Sequence, residues 1–190
     1  KENSYKIDID YKSDDKLRDF LRERSESKFL IITDENVFSL YEERIKNIMN
    51  GLEYFIFKIT PGEESKSIEN FVEINKFLVG NNFNRGDAII AFGGGVVGDL
   101  GGYVAASYLR GIDFIAVPTT LLSMIDSSVG GKNGINFMNL KNQIGSFYFP
   151  KYVHIDYSFL ETLDERNINN GLAEIFKYSV LRDREFFDYL

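Results

Sequence analysis

The residues best placed to do chemistry form a glycine turn, Gly93-Gly94-Gly95, between an apolar run and a helical pattern. Residues 88–92 are typical of a buried parallel strand, and residues 96–105 repeat apolar side chains at helical spacing. Free N–H groups and the helix dipole favour an anion there, and glycine lets the backbone approach it closely. The turn therefore predicts a nucleotide pyrophosphate site. The alternative is a turn that only packs a helix on a sheet, because the spacing is not Gly-x-Gly-x-x-Gly.

Residues 126–136 form a second segment that can do chemistry. They gather the Asp126 carboxylate, two hydroxyls, Lys132 and two amides within a short reach. Charge-assisted hydrogen bonds from such a group can hold a polyhydroxylated, phosphorylated substrate. Loops of this length without secondary structure are often functional, so we favour a binding role over an ordinary surface loop. Lys141 and Asn142 add a compact donor pair that is weak by itself.

Two pairs of charged residues each allow two interpretations. Glu63 can accept hydrogen bonds from ribose hydroxyls and Lys66 can position a ligand, but alone the segment favours a solvated turn that opens a helix. Glu174 and Lys177 stand three residues apart on a helical pattern, which is typical of a partly buried ion pair. The functional alternative makes Glu174 a metal ligand and Lys177 a cation of the site.

Two isolated basic residues have simple structural interpretations. Arg110 follows a helical pattern and precedes a glycine, where a cation is favourable at a helix C-terminus. His154 is the only histidine and lies in an apolar run, so we expect a hydrogen-bonded core side chain rather than a ligand. A complete metal site cannot be assembled from these residues, because a catalytic zinc usually needs three protein ligands.

The bulk properties narrow the class of protein. The chain has 190 residues and a net charge of −7, with no block of Lys or Arg, which argues against nucleic acid as a partner. Without cysteine there is no disulfide framework and no thiolate metal site. No apolar run reaches transmembrane length and the polar start is no signal peptide, so we expect no membrane partner and a cytoplasmic location. The chain begins at Lys1, so we expect a boundary or missing residues there.

Strand-like runs alternate with helical patterns through residues 1–157. This rhythm predicts an α/β domain with a Rossmann-like, doubly wound, mostly parallel sheet. Ligands bind such sheets outside the carboxyl ends of the strands. Asp34, the glycine turn and the pair Thr119-Thr120 all fall at predicted strand ends, so we expect them to share one edge.

The pattern changes at residue 158. Residues 158–190 read as wholly helical, with Ser158 and Thr162 fitting the start of a capping box. An exposed apolar stripe is expected on this segment, formed by Leu172, Ile175, Phe176 and Val180. The sequence predicts the opening helices of a second, α-helical, metal-binding domain that is truncated.

Together, these motifs resemble the 3-dehydroquinate synthase family. A single block is weak, but the blocks keep the family's order and spacing from residue 61 to residue 177. They are Pro61-Gly-Glu-Glu-Ser-Lys66, Gly93-Gly-Gly-Val-Val-Gly-Asp99, Tyr108-Leu-Arg-Gly-Ile112, Val117-Pro-Thr-Thr-Leu-Leu122, Asp126-Ser-Ser-Val-Gly-Gly-Lys132 with Asn136, Lys141-Asn142 with Gly145, and Gly171-Leu-Ala-Glu-Ile-Phe-Lys177.

The resemblance implies a site in a cleft between a Rossmann-like NAD domain and a helical domain that binds Zn²⁺ or Co²⁺. Residues implied to contact NAD are Asp34, Glu63, Lys66, Gly94, Gly95, Asp99, Thr119, Thr120, Lys132, Lys141, and Phe159 and Thr162 of the turn at 159–162. Residues implied to contact the substrate are Asp126, Lys132, Lys141, Asn142 and Lys177. Glu174 matches the first metal ligand, and Arg110 an arginine that reaches the substrate phosphate of the neighbouring subunit in a homodimer.

The implied activity is that of a lyase of the shikimate pathway for aromatic amino acids. It would convert a phosphorylated sugar acid, 3-deoxy-D-arabino-heptulosonate 7-phosphate, to 3-dehydroquinate and phosphate. Family members are longer, so we expect these 190 residues alone to be inactive. The alternatives are another sugar-phosphate cyclase, such as a 2-deoxy-scyllo-inosose synthase, an NAD-dependent polyol dehydrogenase, or only a nucleotide-binding module.

Overall fold

A six-stranded parallel sheet forms the centre of the protein in a computed structural model that describes residues 4–182 and 184–190. The strands are β1 (Lys6–Asp10), β2 (Phe29–Asp34), β3 (Tyr54–Ile59), β4 (Ala88–Gly93), β5 (Asp113–Pro118), β6 (Lys132–Phe137), β7 (Leu140–Phe147) and β8 (Tyr152–Asp156). The helices are α1 (Asp14–Arg22), α2 (Glu35–Ile48), α3 (Ile68–Gly80), α4 (Gly95–Ser107), α5 (Glu165–Arg182) and α6 (Arg184–Tyr189). Within this part of the chain, no helix is long and apolar enough to cross a membrane.

The order of the strands is β1-β8-β5-β4-β2-β3, and every neighbouring pair is parallel. The chain first moves from β2 outward to β3 and then returns to place β4 on the other side of β2. This reversal is a topological switch point, where a crevice opens at the carboxyl ends of the strands. The predicted Rossmann-like α/β fold is confirmed.

Burial follows the order of the strands. The inner strands β4 and β8 are buried along their whole length, because both faces of a parallel sheet are covered. The edge strand β1 alternates polar and apolar residues and is largely exposed. The other edge strand, β3, is mostly apolar and half-buried, so composition marks only β1 as an edge strand.

The sequence did not predict the antiparallel hairpin formed by β6 and β7. Residues 126–136 were expected to be an unstructured loop, but β6 occupies residues 132–137. The pattern is weak because Gly and Asn are depleted in strands. Here they are needed for close packing: a Cβ added at Gly145 would lie 2.2 Å from the carbonyl oxygen of Asn133, and one added at Gly102 on α4 would lie 1.9 Å from Asn133 Oδ1. The hairpin thus packs tightly on α4.

The segment after residue 157 is mostly helical but is interrupted. A 3-10 turn covers Tyr157–Thr162 and α5 begins at Glu165. The capping boxes predicted at Ser158 and Thr162 were wrong, since aspartates supply the caps. Asp156 accepts from Ser158 N, and Asp164 Oδ1 accepts from Asn167 N at 2.8 Å. The boundary at 157/158 stays a prediction. The expected apolar stripe is exposed in part, with Phe176 55% accessible.

An arginine ties two helices to the sheet. Arg44 of α2 bridges Asp14 of α1 and Asp156 at the end of β8. The backbone N–H groups of Lys12 and Ser13 also donate to Asp156, each at 2.9 Å. Burial opposes ionisation, but these hydrogen bonds, with those from Ser158, lower the pKa of Asp156 to about 2. We call Asp14, Arg44, His154 and Asp156 the Arg44 cluster.

His154 is 1% exposed, as predicted for a core histidine, but only one of its ring nitrogens has a partner. Nδ1 lies 3.4 Å from the hydroxyl of Tyr152, and Nε2 has none among the described residues. Burial lowers the pKa of His154 below its ordinary value of 6.5, although the nearby carboxylates favour the protonated ring and oppose this shift.

Acidification below pH 6.5 should therefore destabilise the protein through His154. The unfolded state takes up the His154 proton at pH 6.5, while the folded state resists it to a lower pH. Stability is thus full above pH 6.5 and should fall by up to about 1.4 kcal/mol per pH unit below it. Urea unfolding at pH 7.5 and 5.5 measures this loss. Since there is one histidine, His154→Phe should abolish most of it; an equal loss in both proteins would contradict the assignment.

Candidate active-site cleft

A cleft of about 910 Å³ opens at the switch point of the sheet. It lies at the carboxyl ends of β2, β3, β4 and β5. The sequence-predicted residues that line it are Asp34, Glu63, Lys66, Gly94, Gly95, Asp99, Thr119, Thr120, Asp126 and Thr162. Residues from distant parts of the chain are therefore brought together where a parallel sheet binds ligands.

The glycine turn forms the floor of this cleft at the N-terminus of α4. Gly94 is the N-cap and has φ −76°, so it is not required by a left-handed backbone. An added side chain would instead be tightly packed: a Cβ at Gly94 would lie 3.2 Å from Thr120 Cγ2, and one at Gly95 would lie 3.2 Å from Ser127 Oγ. The first N–H groups of a helix have no partner within it. The two glycines and the free N–H groups at the start of α4 together form an anion site that is open to the cleft.

Asp34 ends β2 and caps α2. Its Oδ1 accepts hydrogen bonds from the N–H groups of Asn36 and Val37, both at 2.9 Å. The cap fixes the carboxylate at the rim of the cleft, where its second oxygen can accept a hydrogen bond from a ligand hydroxyl.

A buried ion pair forms one wall. Lys66 is 4% exposed, and its Nζ lies 2.8 Å from Asp99 Oδ2 and 3.4 Å from Glu63 Oε1. Burial raises the pKa of Asp99, while the hydrogen bond from Lys66 opposes this rise. For Glu63, burial is outweighed by a hydrogen bond from Asn136 and by the nearby lysines, so its pKa is lowered. The lysine thus stands between two carboxylates in a poorly solvated wall.

A second cavity of about 630 Å³ adjoins the cleft and shares Asp99 and Asp126 with it. Lys132 and Asn142 of the hairpin line this cavity, opposite Tyr178 of α5. The Tyr178 hydroxyl donates to Asp126 Oδ1 at 2.8 Å. Cationic and amide donors therefore face a carboxylate across a space open to the cleft, which suits an anionic, hydroxylated molecule.

Lys141 lies on a third side. It lines a cavity of about 550 Å³ together with Glu63 and Lys66, and not the cavity that holds Lys132. The side chains of Lys141 and Asn142 therefore diverge, although they are neighbours in sequence.

Several predicted site residues lie outside these cavities. The ring of Phe159 is 1% exposed and packs on Tyr41 and Phe92, so its side chain cannot contact a ligand in the cleft. Arg110 follows the C-terminus of α4, whose 13 residues place it about 20 Å from the glycine turn. Within one chain it is therefore far from the site.

Glu174 and Lys177 form an ion pair on α5. The glutamate side chain is 20% exposed and the lysine side chain 51%, which agrees with the expected partly buried pair. Neither lines the cavities that hold Asp126 and Lys132.

The Arg44 cluster contains the one set of three possible metal ligands that the described residues bring together. Ligand atoms of Asp14, His154 and Asp156 lie within 4.8 Å of one another. However, the Arg44 guanidinium already bonds both carboxylates, and backbone N–H groups use the remaining Asp156 acceptors. The cation position is thus filled by arginine, so this cluster fits a structural salt bridge and not a divalent metal.

The sequence did not predict two contacts of the site. Asn136 was expected among the substrate-holding groups of residues 126–136 and not as a partner of Glu63, and no role was predicted for Tyr178. Asn136 had the signal of an amide at a strand end among charged residues. Tyr178 had none, because its contact with Asp126 joins positions 52 residues apart.

The fold and the cleft define a doubly wound α/β domain of the nucleotide-binding kind. A family model described as 3-dehydroquinate synthase N-terminal matches residues 56–170. The chain belongs to the 3-dehydroquinate synthase family. It is 47% identical to the 3-dehydroquinate synthase of Clostridium tetani over 100% of this chain and 51% of that protein. The chain thus spans about half the length of the curated relatives that it matches.

Two solved structures show the same architecture. The 2-epi-5-epi-valiolone synthase ValA of Streptomyces hygroscopicus, solved with NAD⁺ and Zn²⁺, gives a TM-score of 0.90 at 34% identity over 99% of this chain and 52% of its own. A 2-deoxy-scyllo-inosose synthase, solved with carbaglucose-6-phosphate, NAD⁺ and Co²⁺, gives 0.83 at 26% identity over 93% of this chain and 49% of its own.

Removing the cation of the buried wall should destabilise the domain strongly. Lys66→Met leaves Asp99 and Glu63 without their shared partner, which should cost about 3 kcal/mol of unfolding free energy. Lys76→Met is a matched control, because its pair with Glu73 is 68% and 57% exposed and should contribute under about 1 kcal/mol. Urea denaturation of both variants gives the comparison, and losses of equal size would show that burial adds nothing to the Lys66 pair.

Proposed function

We propose that the chain supplies the NAD-binding half, and part of the substrate site, of a 3-dehydroquinate synthase. The enzyme is a lyase of the shikimate pathway that converts 3-deoxy-D-arabino-heptulosonate 7-phosphate to 3-dehydroquinate and phosphate. The observation that carries the proposal is the junction of two cavities, one with a helix N-terminus for a pyrophosphate and one with Lys132 and Asn142, at shared Asp99 and Asp126.

The cleft fits NAD by its shape and donor set. The space over Gly94 and Gly95, which a Cβ would narrow, takes the pyrophosphate at the α4 N-terminus. Asp34 and Glu63 at the rim accept hydrogen bonds from ribose hydroxyls. Bound NAD⁺ would supply the transient oxidation of a substrate hydroxyl and the return of the hydride.

The adjoining cavity fits the phosphorylated acid. Lys132 and Asn142, which line this cavity, hold the phosphate or carboxylate. Lys177, next to Tyr178 on α5, is a further cation of the site in the full-length enzyme. Asp126, fixed by the Tyr178 hydroxyl, accepts hydrogen bonds from substrate hydroxyls. Lys141 of the hairpin is assigned to NAD in this proposal, because it lines a cavity with Glu63 and Lys66. The substrate contact that the resemblance implies for it gains no support, since Lys141 does not line the cavity of Lys132 and Asn142.

The described residues do not build a complete metal site. Glu174 offers one carboxylate, and it belongs to no group of three potential ligands in the part of the chain that the structure describes. In the proposal it gives one ligand to Zn²⁺ or Co²⁺ in the full-length enzyme, and the 190 residues alone release no phosphate. Arg110 acts on the substrate of a second subunit in a homodimer, which its distance from the glycine turn supports.

Another sugar-phosphate cyclase is the second candidate, because ValA superposes with a TM-score of 0.90. The identity of 47% to a 3-dehydroquinate synthase, against 34% to ValA, favours the first. Phosphate release by full-length protein from the heptulosonate phosphate and from glucose 6-phosphate, each with NAD⁺ and Co²⁺, tests the choice. Release from the heptulosonate phosphate with 3-dehydroquinate as product supports the proposal, and release from glucose 6-phosphate alone rejects it.

Filling the glycine turn should weaken NAD⁺ binding. A valine at position 94 occupies the approach to the helix N-terminus and presses on Thr120, 3.2 Å from the new Cβ. Gly98→Val is the control, because an added Cβ there meets nothing within 4 Å. Calorimetric titration of this chain with NAD⁺ should show a dissociation constant at least tenfold larger than that of wild type for Gly94→Val, and an unchanged one for Gly98→Val. Equal affinities for both folded variants would place the pyrophosphate elsewhere.

Loss of the Lys132 cation should impair substrate use and spare the cofactor. A charged hydrogen bond contributes roughly 1.5–3 kcal/mol, so Lys132→Ala should lower kcat/KM about tenfold to hundredfold in the full-length enzyme. Lys151→Ala is the control, because that lysine pairs with Asp113 at the start of β5, away from the cleft. An unchanged kcat/KM would show that Lys132 does not contact the substrate and is an ordinary surface residue.

A further inference from the structure

The β6–β7 hairpin is irregular where it lines the third cavity with Glu63 and Lys66. Ile135 pairs with Ile144 and Phe137 with Leu140, so Asn136 alone stands opposite residues 141–143. Asn142 lies within this bulge at φ 56°, a left-handed conformation that asparagine tolerates better than most residues. Bulges re-aim side chains and are frequent next to active sites. The bulge therefore sets the direction of both asparagines.

Asn136 uses its backbone and both ends of its amide. Its N–H donates to the carbonyl oxygen of Lys66 at 2.8 Å, and its Nδ2 donates to Glu63 Oε1 at 2.9 Å. Its Oδ1 accepts from the N–H of Asn142 at 3.0 Å. One half-buried side chain thus joins the acidic rim of the cleft to a donor of the adjoining cavity.

We propose that Asn136 is a positioning residue that transmits the placement of Glu63 to Asn142, and so couples the two ligand cavities. This inference rests on the proposed function for the identity of the ligands, whereas the contacts of Asn136 do not depend on that function. A ligand hydroxyl that donates to Glu63 Oε1 competes with the Asn136 Nδ2 donor for that oxygen. The Asn136 amide then turns, which changes how its Oδ1 holds the N–H of Asn142. The ion pair with Lys66 favours the ionised form of Glu63, whose carboxylate can then accept hydrogen bonds from Asn136 and from a ligand.

Two substitutions at this position separate the two contacts. Asn136→Asp keeps an oxygen that accepts from the Asn142 N–H but cannot donate to Glu63. Asn136→Ala removes both contacts, and the backbone bond to Lys66 remains in each variant. Gln143→Ala is the control, because the Gln143 side chain is exposed and donates only to the carbonyl oxygen of Lys141 among the described residues.

The exchange rate of the Asn142 amide hydrogen, measured by NMR on this chain, tests the coupling without any ligand. We expect exchange about three- to tenfold faster in Asn136→Ala, as the loss of one hydrogen bond gives, and within twofold of wild type in Gln143→Ala. In Asn136→Asp, which keeps the acceptor but loses its hydrogen bond to Glu63, exchange should be faster than in wild type and no faster than in Asn136→Ala. Glu63→Ala should change this rate in the wild-type background and add nothing in Asn136→Ala. The carboxyl pKa of Glu63 should rise in Asn136→Ala and in Asn136→Asp.

Addition of NAD⁺ then distinguishes failure of this inference from failure of the proposed function. We expect NAD⁺ to alter exchange at residue 142 in wild type and not in Asn136→Ala. Equal alteration in both, or additive effects of Glu63→Ala and Asn136→Ala, would overturn the coupling. If wild type binds no NAD⁺, the proposed function fails. The comparison of Glu63→Ala and Asn136→Ala, alone and combined, without ligand still decides the role of Asn136.

Discussion

The architecture depends on how closely α4 approaches its neighbours. A Cβ at Gly101 would lie 3.0 Å from that of Ala91 in the sheet, and one at Gly102 would overlap the Asn133 amide of the hairpin. A helix with side chains at these positions would stand further from both. The bare surface of α4 therefore sets the distance between sheet, helix and hairpin. The same closeness brings the N-terminus of α4 to the floor of the cleft.

Charge is distributed over this frame in two ways. The Arg44 cluster uses a guanidinium and backbone N–H groups to saturate the Asp156 carboxylate, which fixes α1 and α2 to the end of β8. In the cleft, Lys66 serves Asp99 and Glu63 together, and neither carboxylate is saturated. Fully bonded carboxylates hold elements in place, whereas the partly bonded ones at the rim keep acceptors for a ligand.

The hairpin places chemistry beside the sheet. Strands β6 and β7 form their own two-stranded sheet, and they carry Lys132, Lys141 and Asn142. Its contacts with α4 and with the Glu63–Ser65 turn connect it to the nucleotide side. A ligand in one cavity is therefore in contact with residues that shape the other.

The sequence by itself determined the parallel sheet, its order of helices and strands, and the edge at which the site lies. Apolar runs such as residues 88–92 are typical of strands covered on both faces, and the carboxyl ends of parallel strands share one edge. The residues placed in the cleft because they follow a strand directly are Asp34, Gly94, Gly95, Thr119 and Thr120. Asp99 and Thr162 were expected there only from the family resemblance.

Only the tertiary structure decided the remaining features. The hairpin escaped prediction because its glycines are explained by neighbours distant in sequence, such as Gly102 against Asn133. Phe159 belongs to the core and Lys141 faces away from Lys132, which no spacing reveals. The links of Asn136 to Glu63 and of Tyr178 to Asp126 join residues 73 and 52 positions apart. Local patterns fix local conformation, but the direction of a side chain depends on packing against elements that the pattern does not contain.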